Sequence, residues 1–128
     1  MKILGIGVDV IQNKRIKTKI KKKFFVQRTF SKNEVKLSNL ILNKTNYFAK
    51  RFAAKEALSK ALGTGFRNNL NFKDIQILND KIGKPYYLKS KKLDDIVNKR
   101  FKKKNYSLFL SITDEKEYSV AFTILQTK

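Results

Sequence analysis

From Ile3 to Ile11 apolar residues alternate loosely with two glycines and a single acid, which predicts a buried strand that delivers Asp9 near its C-terminal end. Lys14 to Lys23 carries Ile16 and Ile20 at i and i+4 among seven basic residues, the pattern of a short helix with a narrow apolar seam and a positive outer face. Phe24, Phe25 and Phe30 follow as anchors. Ser31-Lys32-Asn33-Glu34 fits a capping box: the serine accepts from the N3 amide while the glutamate reaches back to the cap amide, and Val35 and Leu37 continue a second helix.

Tyr47 to Leu62 is rich in alanine and lacks internal Gly or Pro, and Gly63-Thr64-Gly65 ends it with residues that a C-cap prefers. At about 100° per residue, Ala49, Phe52, Ala53, Glu56, Lys60 and Gly63 fall on one arc, so an acid and a base sit one turn apart among small residues. Phe72 to Leu78 reads as a strand, Asn79 to Pro85 as a turn, and Tyr86 to Leu88 as the return. Leu93, Ile96, Val97 and Phe101 space a further helix. Tyr106, Leu108, Leu110 and Ile112 then alternate with polar residues, as do Tyr118, Val120, Phe122 and Ile124, which predicts a closing hairpin with an acidic turn. The order describes one α+β domain over residues 1–128, without internal repeat or linker.

Composition adds limits on the chemistry. With 41% hydrophobic residues, ten Phe and five Tyr, the chain has the material for a core despite its charge. It has no Cys and no His, so thiolate and imidazole chemistry are excluded and carboxylates, lysine or a bound ion must act instead. Gly5, Gly7 and Asp9 stand where a secretory leader needs an apolar stretch, and no run approaches the roughly 20 apolar residues of a membrane span. A cytoplasmic location off the membrane is therefore expected. Thirty Lys and Arg against ten Asp and Glu give +20, which favours an anionic partner: nucleic acid, a phosphorylated cofactor or an acidic protein.

Gly5-Ile6-Gly7 lacks the third glycine of a dinucleotide fingerprint, since position 10 is Val, and Gly63-Thr64-Gly65 alone is more often a helix cap than a phosphate cradle. Asp9 and Glu56 carry more weight, because an acid among apolar or small residues costs several kcal/mol unless it is paired or binds a cation. Two readings stand side by side on the residues alone: a buried ion pair, Glu56 with Lys60 being the obvious one, or a metal site.

Longer stretches carry a resemblance. Gly5-Ile6-Gly7-Val8-Asp9-Val10 opens the chain, with Arg15-Ile16 where a first helix begins. Arg51-Phe52-Ala53-Ala54-Lys55-Glu56-Ala57 runs on to Ser59-Lys60-Ala61-Leu62-Gly63-Thr64-Gly65. Phe72-Lys73-Asp74-Ile75, Asn79-Asp80, Gly83-Lys84-Pro85, Ser111-Ile112-Thr113 and Tyr118-Ser119-Val120-Ala121-Phe122 follow in order. Over nearly its whole length the chain resembles the holo-[acyl-carrier-protein] synthase family, the small bacterial type of 4′-phosphopantetheinyl transferase.

The resemblance implies an antiparallel sheet packed on a long central helix, in a homotrimer with coenzyme A in clefts between subunits. The implied reaction moves the 4′-phosphopantetheine arm of coenzyme A to a serine of apo acyl carrier protein and releases 3′,5′-ADP. Asp9 and Glu56 are assigned to Mg2+, and Lys60 to the leaving phosphate. Arg51, Gly63, Thr64, Gly65, Lys84, Pro85, Thr113 and Asp114 join Lys60 as coenzyme A residues, Arg51 from another subunit. Arg15, Lys21, Lys22 and Lys23, with Phe25 as an apolar anchor, become a docking face for the acidic carrier protein. Two positions depart from the family pattern: Asp114 stands where histidine is common and Lys50 where glycine is common. Asp114 is expected either to join the metal or to pair at the rim with Lys84 or Lys116, the rim pair being favoured. The competing class is a small basic nucleic-acid-binding protein, for which +20 and Lys102-Lys103-Lys104 speak. It leaves Asp9 and Glu56 without a role.

Overall fold

The computed structural model describes residues 1–64 and 70–128. In chain order it contains β1 (Ile3–Gln12), α1 (Asn13–Lys19), α2 (Lys23–Thr29), α3 (Lys32–Ser38), α4 (Lys44–Leu62), a 3-10 turn (Phe72–Asp74), β2 (Ile77–Asn79), β3 (Pro85–Tyr87), α5 (Lys91–Phe101), β4 (Tyr106–Asp114) and β5 (Tyr118–Thr127). β1, β5 and β4 form one antiparallel sheet in that spatial order, and β2 and β3 form a separate hairpin. The α+β class holds, and the long helix α4 lies across the sheet as expected.

The α4 boundaries follow from its caps. Asn43 accepts from the Asn46 amide at 3.1 Å, and Gly63 ends the helix in the left-handed conformation, φ 75°. Alanines at 49, 53, 57 and 61 are buried, so the helix approaches the sheet closely. A Cβ at Gly5 would lie 1.8 Å from the Ala61 carbonyl oxygen, and one at Gly7 1.8 Å from that of Ala57. Only glycine fits at either position.

This close approach inverts the usual assignment of faces. On β5 the small or polar Ser119, Ala121 and Thr123 are buried under α4, while Tyr118 and Phe122 face out. On β1, Ile6, Val8 and Val10 face out too, Val10 at 60% exposure, so β1 is not the buried strand its apolar content predicts. The register places Val8 opposite Phe122 and Val10 opposite Val120, which makes one continuous apolar outer face.

Two other expectations are corrected. The basic segment from Lys14 to Lys23 is not one helix: α1 ends at Lys19 and α2 starts at Lys23. Like charges at i,i+4, Lys17 with Lys21 and Lys19 with Lys23, disfavour continuation across that gap. The expected strand from Phe72 begins instead as a 3-10 turn, where the Asn71 amide donates to Asp74 Oδ2 at 2.8 Å. The Phe72 and Ile75 carbonyls serve Lys55 Nζ, which takes them out of any strand ladder.

Lys55 is the centre of the buried polar structure. Its Nζ lies 2.7 Å from Glu34 Oε1, and both side chains are fully buried. Glu34 also completes the predicted capping box on Ser31, with Ser31 N donating to Oε1 at 3.0 Å and Ser31 Oγ accepting from the Glu34 amide at 3.1 Å. Its second oxygen accepts from the Ile77 amide at 3.1 Å, and Tyr47 Oη donates to its backbone carbonyl at 2.6 Å. One ion pair thus fastens α3, α4, the 3-10 turn and β2. Burial pushes the Lys55 amine down while Glu34 opposes the shift.

Removing one member of such a pair strands a buried charge. Glu34→Ala should cost about 3–5 kcal/mol in urea-denaturation stability, and Glu34→Ala combined with Lys55→Met should recover part of that loss.

Candidate functional site

The inner face of β1 runs Gly5, Gly7, Asp9, so Asp9 follows on that face the two glycines that lie against Ala61 and Ala57 of α4. Lys60 Nζ donates to Asp9 Oδ1 at 3.2 Å and to the Val8 carbonyl at 3.0 Å. The pair predicted between Glu56 and Lys60 is therefore replaced by Lys60 with Asp9; among the described residues Glu56 has no cation within ion-pair distance. Burial holds the Glu56 carboxyl above its ordinary range, the nearby Asp9 charge adds to the shift, and Lys60 and Lys19 oppose it. The structure thus brings Asp9, Glu56 and Lys60 into one patch.

This patch is an all-oxygen pair of carboxylates with an ammonium at its edge. Among the described residues no third acid, His or Cys joins it. Two carboxylates suit a hard cation such as Mg2+, which commonly takes one or two and fills its octahedron with water and phosphate oxygens. The proton affinity of Glu56 is raised mainly by its burial, with the Asp9 charge adding to it.

Gly63 closes α4 beside this patch, where its amide donates to the Lys60 carbonyl at 3.0 Å. Thr64 follows it half-buried. Gly65 lies outside the described residues.

A second set lies elsewhere on α4. Arg51 is about 140° around the helix from Glu56 and only 6% exposed. Its Nη2 donates to Asn79 Oδ1 at 2.7 Å, its guanidinium carbon sits 3.7 Å from the centre of the Tyr47 ring, and its buried Nε has no hydrogen-bond partner among the described residues. Burial pushes its pKa down, with the Tyr47 hydroxyl opposing. Arg51 opens on a cleft of 480 Å³ whose walls include Asn46, Lys50, Gly83, Pro85 and Asp114. Asp9, Glu56 and Lys60 are not among them.

The remaining candidates divide around this cleft. Lys84 is exposed in the turn before Pro85, its amide held by Asp80 Oδ1 at 2.8 Å. Thr113, paired with Val120, looks to the outer face of the sheet, while Asp114 enters the cleft. Asp114 pairs with neither Lys84 nor Lys116 among the described residues; its Oδ2 accepts from Asn46 Nδ2 at 2.9 Å. It does not join Asp9 and Glu56 within this chain.

On the basic segment Arg15, Lys21, Lys22 and Lys23 are exposed. Phe25 is not an exposed anchor: it is 7% exposed, packs on Phe30 and Phe52, and lines a cavity, whereas Phe24 is 70% exposed. Asn46 carried no signal in the sequence and Asn79 read as a turn and motif residue, since nothing in their spacing marks them as partners of Asp114 and Arg51.

Residues 5–123 match the family model of the 4′-phosphopantetheinyl transferase superfamily. The chain belongs to this superfamily. The holo-[acyl-carrier-protein] synthase of Pelagibacter ubique is 57% identical over 128 residues, covering 100% of both chains. That of Fusobacterium nucleatum is 42% identical over 96% of this chain and 98% of its own. Among solved structures, the Neisseria meningitidis holo-[acyl-carrier-protein] synthase superposes with a TM-score of 0.85 at 34% identity, covering 98% of this chain and 100% of that one. The Bacillus anthracis enzyme, in complex with CoA (3′,5′-ADP), gives 0.82 at 34% identity over 98% of each. The span matched to the phosphopantetheinyl transferase superfamily takes in both the Asp9–Glu56–Lys60 patch and the Arg51 cleft.

The electrostatics of the patch are measurable directly. In metal-free protein the Glu56 carboxyl should titrate above the ordinary 4.5 in a side-chain carboxyl NMR titration. Because the folded state holds this proton more tightly than the unfolded chain, Glu56 lowers stability as pH rises through its shifted range. Asp9→Asn removes the neighbouring charge and should bring the midpoint down.

Proposed function

We propose that this chain moves the 4′-phosphopantetheine arm of coenzyme A onto a serine of apo acyl carrier protein, as a cytoplasmic homotrimer. The observation that carries the reading is the Asp9–Glu56–Lys60 patch in a chain whose relatives, matched end to end, are holo-[acyl-carrier-protein] synthases. Holo-carrier protein and 3′,5′-ADP are the products. The nucleic-acid alternative is not favoured, since it gives these acids nothing to do.

In this reading the serine Oγ attacks the phosphorus next to the pantetheine arm, and the bond from that phosphorus to the oxygen of the departing 3′,5′-ADP breaks. Asp9 and Glu56 would hold Mg2+, which supplies positive charge against the pyrophosphate when bound. Lys60, anchored by Asp9 and the Val8 carbonyl, presents its ammonium to the leaving phosphate. Glu56 accepts the serine proton through a water molecule. Gly63 and Thr64 lie at the C-terminal end of α4 and, with Gly65, would take the nucleotide, and Arg51, Lys84, Pro85, Thr113 and Asp114 of a neighbouring copy complete its binding. The apolar outer face of Ile6, Val8, Val10, Phe109 and Phe122 supports association between copies, because an exposed patch of this kind is what assembly buries.

The acidic carrier docks on the exposed Arg15, Lys21, Lys22 and Lys23, with Phe24 taking the anchor role that Phe25, being buried, does not have. No helix among the described residues is long and apolar enough to cross a membrane.

The test mixes the protein with apo acyl carrier protein, coenzyme A and magnesium, and follows the carrier by mass spectrometry. A phosphopantetheine mass increment is expected, with Asp9→Ala and Glu56→Ala slowing transfer by at least about 10²-fold at unchanged circular dichroism. An unmodified carrier would refute the reading.

A further inference from the structure

Lys50, next to Arg51 on α4, is half-buried in the wall of the 480 Å³ cleft. Among the described residues it has no carboxylate within ion-pair distance. The acid of that wall, Asp114, lies too far for a pair and has its Oδ2 engaged by Asn46. The cleft therefore presents two cations against one tethered carboxylate.

Such an arrangement is costly while empty of anions. Two like charges share a partly desolvated space, and Arg51 beside Lys50 is only 6% exposed, with Nε left without a partner among the described residues. An anion entering the cleft offsets the repulsion between the two cations. Apolar groups from Tyr47, Ile77, Pro85 and Ile112 share the wall with the amides of Asn43, Asn46 and Asn79. That combination suits a phosphate carried on a flat, largely apolar body, which is the form of a nucleoside phosphate.

We propose that Lys50 is a phosphate-binding residue of this cleft, which contacts an adenosine phosphate of coenzyme A alongside Arg51 and offsets the charge of Asp114. The proposal rests on the coenzyme A reading above and adds to it a residue at which the chain departs from the family pattern. A compact ammonium on a flexible stem suits this role, because it follows the phosphate while the Arg51 plane stays fixed by Asn79 and Tyr47. Asp114 stays hydrogen-bonded to Asn46, so its charge adjusts affinity without closing the cleft.

The experiment is calorimetric titration of 3′,5′-ADP, 5′-AMP and adenosine into the full-length protein and its Lys50→Ala and Lys50→Arg variants, with steady-state kinetics on the same preparations. Lys50→Ala should weaken 3′,5′-ADP roughly five- to tenfold, and Lys50→Arg should restore it to within about twofold. Adenosine should bind all three alike, and the coenzyme A KM should rise in Lys50→Ala while kcat and the carrier-protein KM hold. Equal 3′,5′-ADP affinity in wild type and Lys50→Ala would overturn the Lys50 proposal alone. A wild type that binds 3′,5′-ADP with the Lys50 dependence but transfers no arm would uphold the proposal and sink the transfer reading. A wild type that binds no nucleotide would sink both.

Discussion

Gly5 and Gly7 let β1 lie so close to α4 that a Cβ at either would stand 1.8 Å from a helix carbonyl oxygen. The rest of the molecule is arranged around that contact. Glycine in a strand costs roughly 0.5–1 kcal/mol against alanine, and here it is required because no side chain fits the gap. With a strand period of two, the next residue on the same face is Asp9, which therefore reaches Lys60 and the neighbourhood of Glu56. The same closeness explains why Ser119, Ala121 and Thr123, and not the larger residues between them, turn toward the helix.

α4 serves several purposes around its circumference. One side meets the sheet through alanines, another sends Lys55 into the Glu34 network, and others carry Glu56 with Lys60 and Lys50 with Arg51. The Lys55–Glu34 pair is well supported, since the lysine also donates to two backbone carbonyls and the glutamate accepts from two amides. It fixes α3 and β2 against the helix and so holds Asn79, at the end of β2, where it steadies the Arg51 guanidinium. Fold stability and geometry of the cleft are in this way linked through one helix.

Local signals were legible and long-range ones were not. The Ser31–Glu34 capping box, the end of α4 at Gly63 and the closing hairpin all follow from interactions within a few residues, and the structure has them, whereas α4 starts at Lys44, ahead of the alanine-rich run from Tyr47. The ion pair of Lys55 joins residues 21 apart, and nothing in Arg51-Phe52-Ala53-Ala54-Lys55-Glu56 says that its lysine is buried. Helix spacing paired Lys60 with Glu56, but the strand brought Asp9 closer to its ammonium. Hydrophobic alternation identified β5 as a strand and gave its faces correctly as two sets, yet which set is buried depended on how near α4 comes. Phe25 and Phe24 are adjacent, and only the turn into α2 decides that the former is covered.

Within one chain the carboxylate patch and the Arg51 cleft lie on different parts of α4, and Asp9, Glu56 and Lys60 do not line that cleft. On the proposed reading both act on one coenzyme A, so the site would form between copies, each giving a different half. The most direct measurement is complementation: Glu56→Ala and Arg51→Ala copies, carrying different affinity tags, are co-expressed and mixed assemblies isolated through both tags. In a ring of three with head-to-tail contacts, every mixed assembly has one interface free of both defects, so roughly a third of the wild-type transfer rate should return. Mixed assemblies no more active than either variant alone would contradict the account.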